Sequence, residues 1–330
     1  MKPANGTAVL RPDLSVVVHE AMSNAAAFGF IGSEVCPYFP VAAQSADFPV
    51  LPLKSLFNVE KVHRASGSGY QRSTETFEAG HYSCRERGHE HPVDDRFRAM
   101  YRSQIDVDNA AVDICTNKVL RAYEIEVAKK VTKPANFLTK AAAAKWNVYD
   151  TADPKQNIED AKEAGRKKGI SYNALIITWK TYLDLTRCKK VRDAVFYIFP
   201  ESKKTGTIGL QQLEAYLDIE IKLAGAMMNA SNRAKNPDLQ DIWDDSVAVL
   251  ARVAPKGSQI TEPSIGRTFL WNEGASEEII VEEYYEEASR SNIIRVRHDI
   301  DVRLLKSYNE DGNVLSDISK NCGYVITGIR

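Results

Sequence analysis

The chain has 330 residues, 44% hydrophobic and 26% charged, the balance of a folded protein with a sizeable core rather than a disordered one. A formal net charge of −1 argues against a dedicated nucleic-acid binder, which carries a strong basic excess to displace counterions from phosphates. The five cysteines are scattered and odd in number, so they outline no disulfide framework, and no apolar run is long enough for a bilayer span or a secretory signal.

From Met1 to about Leu53, the prolines Pro37, Pro40, Pro49 and Pro52 block continuous helix or interior strand. The stretch reads as an extended arm with one short helix around Leu14 to Ala27. From Lys54 to Pro92 the sequence is polar, and the β-prone pieces Leu53 to Val59 and Glu75 to Phe77 flank Ser66-Gly67-Ser68-Gly69. That pattern predicts a long hairpin turning at the glycines. An isolated two-stranded ribbon is marginal in water, so this one needs a partner.

Val112, Cys115, Val119, Tyr123, Val127 and Val131 recur at spacings of three and four, which predicts an amphipathic helix over 107–131, about 37 Å long. Asp106 or Asp108 caps its start; Lys129, Lys130 and Lys133 suit its C-terminal dipole, and Pro134 stops it. Asp153-Pro154-Lys155-Gln156 and Gly169 bracket a second helix from Pro154 to Lys168. A short strand, Ala174 to Ile177, precedes a helix from Trp179 to Val191, and Leu210, Leu213 and Leu217 mark another. The chain then turns β-rich, with strands expected over Ile219 to Met228, Val247 to Val253, Thr268 to Trp271 and Ile279 to Tyr285. Ile294, Val296, His298, Ile300 and Val302 alternate with Arg295, Arg297, Asp299, Asp301 and Arg303, which predicts a strand with one buried and one wet face. Tyr324 to Ile329 forms a final strand.

The order of arm, long hairpin, long helix, mixed region and β-rich return resembles the major capsid protein family of tailed double-stranded-DNA phages, whose fold encapsulin nanocompartments share. Val107 to Lys130 resembles that family's spine helix, and Tyr172 to Leu185 its strand-then-helix segment. Gly225-Ala226-Met227-Met228-Asn229-Ala230, followed by Asp241-Ile242-Trp243-Asp244-Asp245, is similar to a family signature. Arg290-Ser291-Asn292-Ile293-Ile294-Arg295-Val296-Arg297 looks like its peripheral strands, and Gly323-Tyr324-Val325-Ile326 like its terminal strand. The resemblance implies an α+β, Hong Kong phage-type capsid fold. Its parts are an N-terminal arm (1–52), an extended β-hairpin loop (53–94) laid over the adjacent subunit, a peripheral domain with the spine helix (95–153 and 266–330) and an axial domain (154–265).

The function so implied is a shell protein, not an enzyme, that forms hexamers and pentamers of an icosahedral virion capsid around the phage genome, assembled in the host bacterial cytoplasm. Implied partners are further copies of itself, a portal at one vertex, decoration proteins, and packaged DNA touched weakly and without sequence specificity; no membrane and no cofactor is expected. Two departures narrow the resemblance. No lysine lies between Lys61 and Lys118, which argues against a covalent isopeptide link from the loop, and no long charged helical segment precedes the arm, which predicts a separate scaffolding protein. The alternatives are an encapsulin-type compartment around an enzyme cargo and a soluble hydrolase.

The loop and its end carry Arg64, Arg72, Arg85 and Arg87, whereas the later β region carries Glu282, Glu283, Glu286 and Glu287. Arginine's planar fork pairs bidentately with carboxylates and suits contacts buried between subunits, so these residues are the candidate intersubunit set. If both runs are instead solvated faces, each exposed pair contributes only about 0–1 kcal/mol. His81, Cys84, His89 and His91 cluster in sequence, but at a spacing that matches no standard zinc finger. Neither a phosphate loop, nor a His-Glu-x-x-His pair, nor a Gly-x-Ser-x-Gly elbow occurs, and no catalytic, cofactor or metal residue is expected.

Overall fold

The computed structural model describes residues 8–25, 29–50, 57, 59, 63, 64, 66–70, 72, 77–101, 103–231, 236, 238–274, 277–308 and 314–330. Its organising element is the long helix. Numbered among the helices after α1 (Pro12–Ser23), α2 (Gly32–Val35) and α3 (Asp95–Tyr101), it is α4 (Val107–Val131). The carboxylate of Asp106 caps it, accepting from the backbone N–H groups of Asp108 and Asn109. The stripe from Val112 to Val131 is buried as its spacing requires. It packs on a six-stranded sheet built from β1 (Val9–Leu10), β2 (Tyr38–Pro40), β5 (Arg85–Asp94), β12 (Arg267–Leu270), β13 (Ile280–Glu286) and β14 (Ser291–Arg303). β14 is the spine of that sheet, pairing antiparallel with β13, β12 and β5.

The arm is woven into this layer rather than laid loosely on it. β2 runs parallel to β12, and the Thr268 hydroxyl donates to the Cys36 carbonyl at 2.8 Å. The arm helix starts at Pro12 and ends at Ser23, short of the expected Ala27, which lies outside the described residues. β3 (Ser45–Val50) pairs antiparallel with β4 (Glu78–Ser83), from Ser45 opposite Ser83 to Val50 opposite Glu78. This ladder is the base of the excursion that spans 51–77. The expected hairpin strands at 53–59 and 75–77 lie largely outside the described residues, but Ser66 and Gly67 form a turn, with Gly67 at φ +83°. The excursion is shorter than the sequence suggests, because Arg85–Asp94 is not part of it. That segment is β5, paired with β14 along its length from Asp94 opposite Ser291 to Arg85 opposite Ile300.

A second sheet has the order β6-β17-β11-β7-β8, from β6 (Leu138–Ala141), β7 (Ala174–Thr178), β8 (Glu220–Ala224), β11 (Val247–Ala251) and β17 (Gly323–Thr327). Helices α5 (Pro154–Arg166), α6 (Trp179–Arg187), α7 (Lys189–Ile198), α8 (Pro200–Thr205) and α9 (Leu210–Leu217) accompany it. The Asp153 cap forms as expected, its carboxylate accepting from the Gln156 N–H. The helix expected from Trp179 to Val191 is two helices. It breaks at Cys188, whose ψ of 125° is extended, and the Lys189 N–H leaves the helix to donate to the Tyr149 carbonyl. The strand expected from Ile219 to Met228 is likewise interrupted, because the N–H groups of Gly225 and Ala226 both donate to the Gly29 carbonyl before β9 (Met227–Asn229) pairs with β10 (Leu239–Asp241). A last hairpin of β15 (Lys306–Tyr308) and β16 (Val314–Asp317) leads through α10 (Ile318–Cys322) into β17.

The predicted wet face of β14 is not wet. Arg297, Asp299 and Asp301 are all buried. Arg297 bonds Glu282 on β13 and Asp299 on its own strand, while Asp301 accepts from the Ser83 N–H of β4. Farther along, Phe269 of β12 lies in a tilted contact with Phe48 and stacks on Tyr82, so the base of the excursion covers this end of the sheet. Alternation predicted two faces correctly; it could not show that a second layer covers the polar one.

Candidate assembly surfaces

The candidate residues divide by environment. Arg64, Arg72, Arg85, Glu286 and Glu287 are exposed. Arg64 lies over the Tyr70 ring, 4.8 Å from its centroid, and Glu286 accepts from the Ser289 hydroxyl. The other three are held inside their own subunit. Arg87 pairs with Glu126 of α4, Glu283 with Arg11 of the arm, and Glu282 with both Arg295 and Arg297. Burial alone would raise the Glu126 carboxyl, but hydrogen bonds from Arg87 and Lys130 hold it below its ordinary range. Burial would likewise lower the Arg297 guanidinium, yet Glu282 and Glu273 raise it. These four pairs fasten the arm, the sheet and the helix to each other.

One fastening residue escaped the sequence reading. Glu124, on the apolar face of α4, is 1% exposed. Its carboxylate accepts from the Ile31 N–H at 3.0 Å, the Gly32 N–H at 2.7 Å and the Trp243 indole N–H at 2.6 Å. Burial pushes this carboxyl up, against its three donors. The signal was available: an acid at position 124 interrupts a buried stripe, and a buried carboxylate requires donors.

Among the described residues, no group of three or more His, Cys, Asp or Glu side chains converges as metal ligands would. His81 pairs with Asp47 and His89 with Lys118, while the Cys84 thiol is buried against the Phe269 carbonyl. Burial pushes the Cys36 and Cys84 thiols up to about 12, which keeps them protonated and poor nucleophiles. A cleft of about 740 Å³ lies between the arm and the second sheet. Its lining charges are taken up in ion pairs: Lys222 with Glu34 and Glu220, Lys256 with Glu278, and His19 with Glu277. No described helix is long and apolar enough to cross a membrane.

Large apolar side chains nevertheless face solvent, among them Trp179, Tyr197 and Ile198 on the helices beside the second sheet, Met227 and Leu239 on the β9–β10 hairpin, and two further groups. On the excursion, Phe57, Val59, Tyr70 and Phe77 are exposed, Val59 almost completely. Phe57 lies against Gly169 of its own chain, where an added Cβ would sit 2.4 Å from the ring. Around the N-terminal end of α4, Val9, Leu10, Val16, Phe97, Met100 and Ile105 are exposed as well. Surfaces of this kind mark contacts with other proteins.

No family model and no curated protein matches the chain. Solved structures do. A phage-related protein from Bordetella bronchiseptica RB50 superposes with a TM-score of 0.68 at 22% identity, covering 98% of each chain. A virus-like particle from Pyrococcus furiosus matches with a TM-score of 0.54 at 10% identity, over 94% of this chain and 98% of that one. A protein of Mycobacterium phage Bobi matches with a TM-score of 0.53 at 10% identity, over 91% and 90%. The chain therefore has the mixed α+β fold of phage and virus-like-particle proteins. More particularly, it has the Hong Kong phage-type capsid fold that its motifs resemble.

Proposed function

We propose that this chain is the major capsid protein of a tailed double-stranded-DNA phage, a structural subunit without catalysis, whose copies build an icosahedral shell of hexamers and pentamers around the genome. The observation that carries the reading is the end-to-end likeness of fold to the phage-related Bordetella protein, over 98% of both chains. The structure adds a physical reason. A ladder anchored on Phe269 launches an excursion that presents Phe57, Val59, Tyr70 and Phe77 to solvent, a poor arrangement for a lone subunit and a useful one for a subunit with neighbours. Each contact stabilises the assembled form by mass action, so shell strength sums over many modest interfaces. In this reading residues 1–52 are the arm, 53–94 hold the extended loop, 95–153 with 266–330 form the peripheral domain around α4 and 154–265 the axial domain, whose sheet β6 and β17 join from the peripheral ranges.

Of the candidate intersubunit residues, Arg64, Arg72, Arg85, Glu286 and Glu287 are available to a neighbour, whereas Arg87, Glu282 and Glu283 serve their own subunit first. A separate scaffolding protein guides assembly, a portal occupies one vertex, decoration proteins bind outside, and the virion is the final location. A near-neutral chain confines DNA rather than gripping it. Electron microscopy of the chain expressed alone and together with its neighbouring genes tests the proposal. Shells or capsomer rings are expected in the second case, and a stable small oligomer in both would overturn it.

The likeness to the Pyrococcus furiosus virus-like particle favours a second reading, a compartment enclosing an enzyme cargo. Neighbouring genes separate the two: terminase and portal genes accompany a phage shell, and a ferritin-like or peroxidase gene accompanies a compartment.

A further inference from the structure

The outer face of the ladder that launches the excursion holds three side chains whose chemistry the shell reading does not use. Along β3 and β4 the residues alternate: Phe48, Val50, Gly80 and Tyr82 are buried, whereas Ser45, Asp47 and His81 are exposed on the other face. The register is fixed from the buried side. Tyr82 stacks on Phe269 with ring centroids 4.5 Å apart, and Phe48 lies over Gly80, where an added Cβ would meet its ring. That register sets Asp47 opposite His81 and Ser45 opposite Ser83, so Ser45 is the diagonal neighbour of His81 across the strands.

The hydrogen bonds of the three side chains run in one line. His81 Nδ1 lies 2.9 Å from Asp47 Oδ1, and His81 Nε2 lies 3.3 Å from Ser45 Oγ. An ionised carboxylate only accepts, so Asp47 fixes the tautomer with the proton on Nδ1 and leaves Nε2 of the neutral ring as an acceptor. The Ser45 hydroxyl also lies 3.1 Å from the Tyr82 carbonyl, and its single proton reaches either acceptor by rotation about the C–O bond. A hydroxyl, an imidazole base and a carboxylate that orients the base are the parts of nucleophilic acyl transfer. A solvated cross-strand pair would need the contact between His81 and Asp47, but not the alignment of Nε2 on Ser45.

We infer that Ser45 is an acyl-acceptor site, with His81 as its general base and Asp47 as a positioning residue, and that it takes an acyl group from an activated ester or thioester. Ser45 Oγ bonds to the acyl carbon while the hydroxyl proton passes to His81 Nε2. The C–O or C–S bond of the donor then breaks, and the leaving oxygen or sulfur carries away the electron pair and receives that proton. One acylation per chain is meant, which leaves the structural role proposed above intact.

The probe is p-nitrophenyl acetate, applied briefly near neutral pH to the full-length chain, with the acetylated positions located by peptide mass spectrometry. An acetyl ester on Ser45 is expected, and hydroxylamine removes it while leaving acetyl amides on lysines in place. Ser45→Ala abolishes the ester, and His81→Gln lowers the rate at Ser45 by roughly 100-fold, the low end of what a positioned base supplies. Asp47→Asn slows the reaction too, whereas Asp47→Glu keeps most of the rate and wild type reacts more slowly in D2O. All three side chains are exposed, so the variants keep the wild-type circular dichroism and the same acetylation rates at lysines. No ester at Ser45, or an ester formed as fast in His81→Gln as in wild type, overturns the inference, and neither result bears on the shell reading.

Discussion

Glu124 and Trp243 lie far apart in sequence, yet the indole N–H of Trp243 donates to the Glu124 carboxylate at 2.6 Å in the interior. Because Ile31 and Gly32 donate to the same carboxylate, one side chain of the long helix holds the arm on one side and the loop before β11 on the other. Replacing Trp243 by Phe removes one donor and leaves Glu124 less compensated, at an expected cost of about 1–3 kcal/mol. Glu124→Gln turns an amide N–H toward a backbone N–H and costs a similar amount. Denaturant unfolding of the two single variants and the double checks the coupling, which predicts a double-variant loss well below the sum. Strict additivity would show that the two side chains do not act together.

Acid should act through His298. It lies 1% exposed beneath α4, and burial pushes its imidazole down to about 3, with Arg87 acting in the same direction and Glu126 opposing. The unfolded chain takes up this proton near pH 6.5, which the folded chain refuses until about pH 3. The contribution of a neutral ring is therefore complete above pH 6.5 and is lost progressively as pH falls toward 3, by up to about 1.4 kcal/mol per unit. Between about pH 7 and 4, wild type should lose stability relative to His298→Leu as pH falls; a difference in melting temperature independent of pH would rule the residue out.

Arg297 is a costly charge to remove from the sheet. Its side chain is 10% exposed and bonds Glu282, Glu273 and Asp299. Arg297→Ala strands Asp299 in a buried setting and leaves Glu282 with Arg295 alone, at an expected cost of about 3–5 kcal/mol. Replacing both partners, Arg297→Met with Glu282→Leu, should recover much of that loss. Urea titrations read both, and a double variant no better than Arg297→Ala would contradict this account.

At Gly29 the constraint is backbone geometry. Its φ is +77°, and an added Cβ would stand 2.5 Å from the backbone of Gly225. Gly29→Ala should therefore part the arm from the strand break at Gly225 and Ala226, losing about 1–3 kcal/mol. Limited proteolysis should then cut the arm faster than the rest of the chain, and unchanged digestion would argue that the contact can relax.

Sequence carried most of the helices because their signals are local. Asp106 and Asp153 cap as expected, and the stripe from Val112 to Val131 is the buried face of α4. What it missed depends on partners distant in the chain. The polar run Arg85–Asp94 looked like loop because its own residues are charged and include a proline; it is a strand because β14 lies beside it. Cys188 carries no breaker signal, and its bend is set by the Tyr149 carbonyl that takes the next N–H. The same holds for the glutamates. Composition identified an acidic run, but only the register placing Glu282 opposite Arg295 separates the buried acids from exposed Glu286 and Glu287.

The sheet that carries α4 also bears on how each copy is made. Its strand β2 is placed by β12, through contacts such as Thr268 to Cys36 that span 232 positions, and β5 has only β14 to pair with. A nascent chain emerging from the ribosome cannot close this layer until nearly all of it has been synthesised, which makes folding slow and late. Chains terminated before Ser291 would lack β14 and could not present the long helix on a finished sheet, so the fold itself separates them from complete copies.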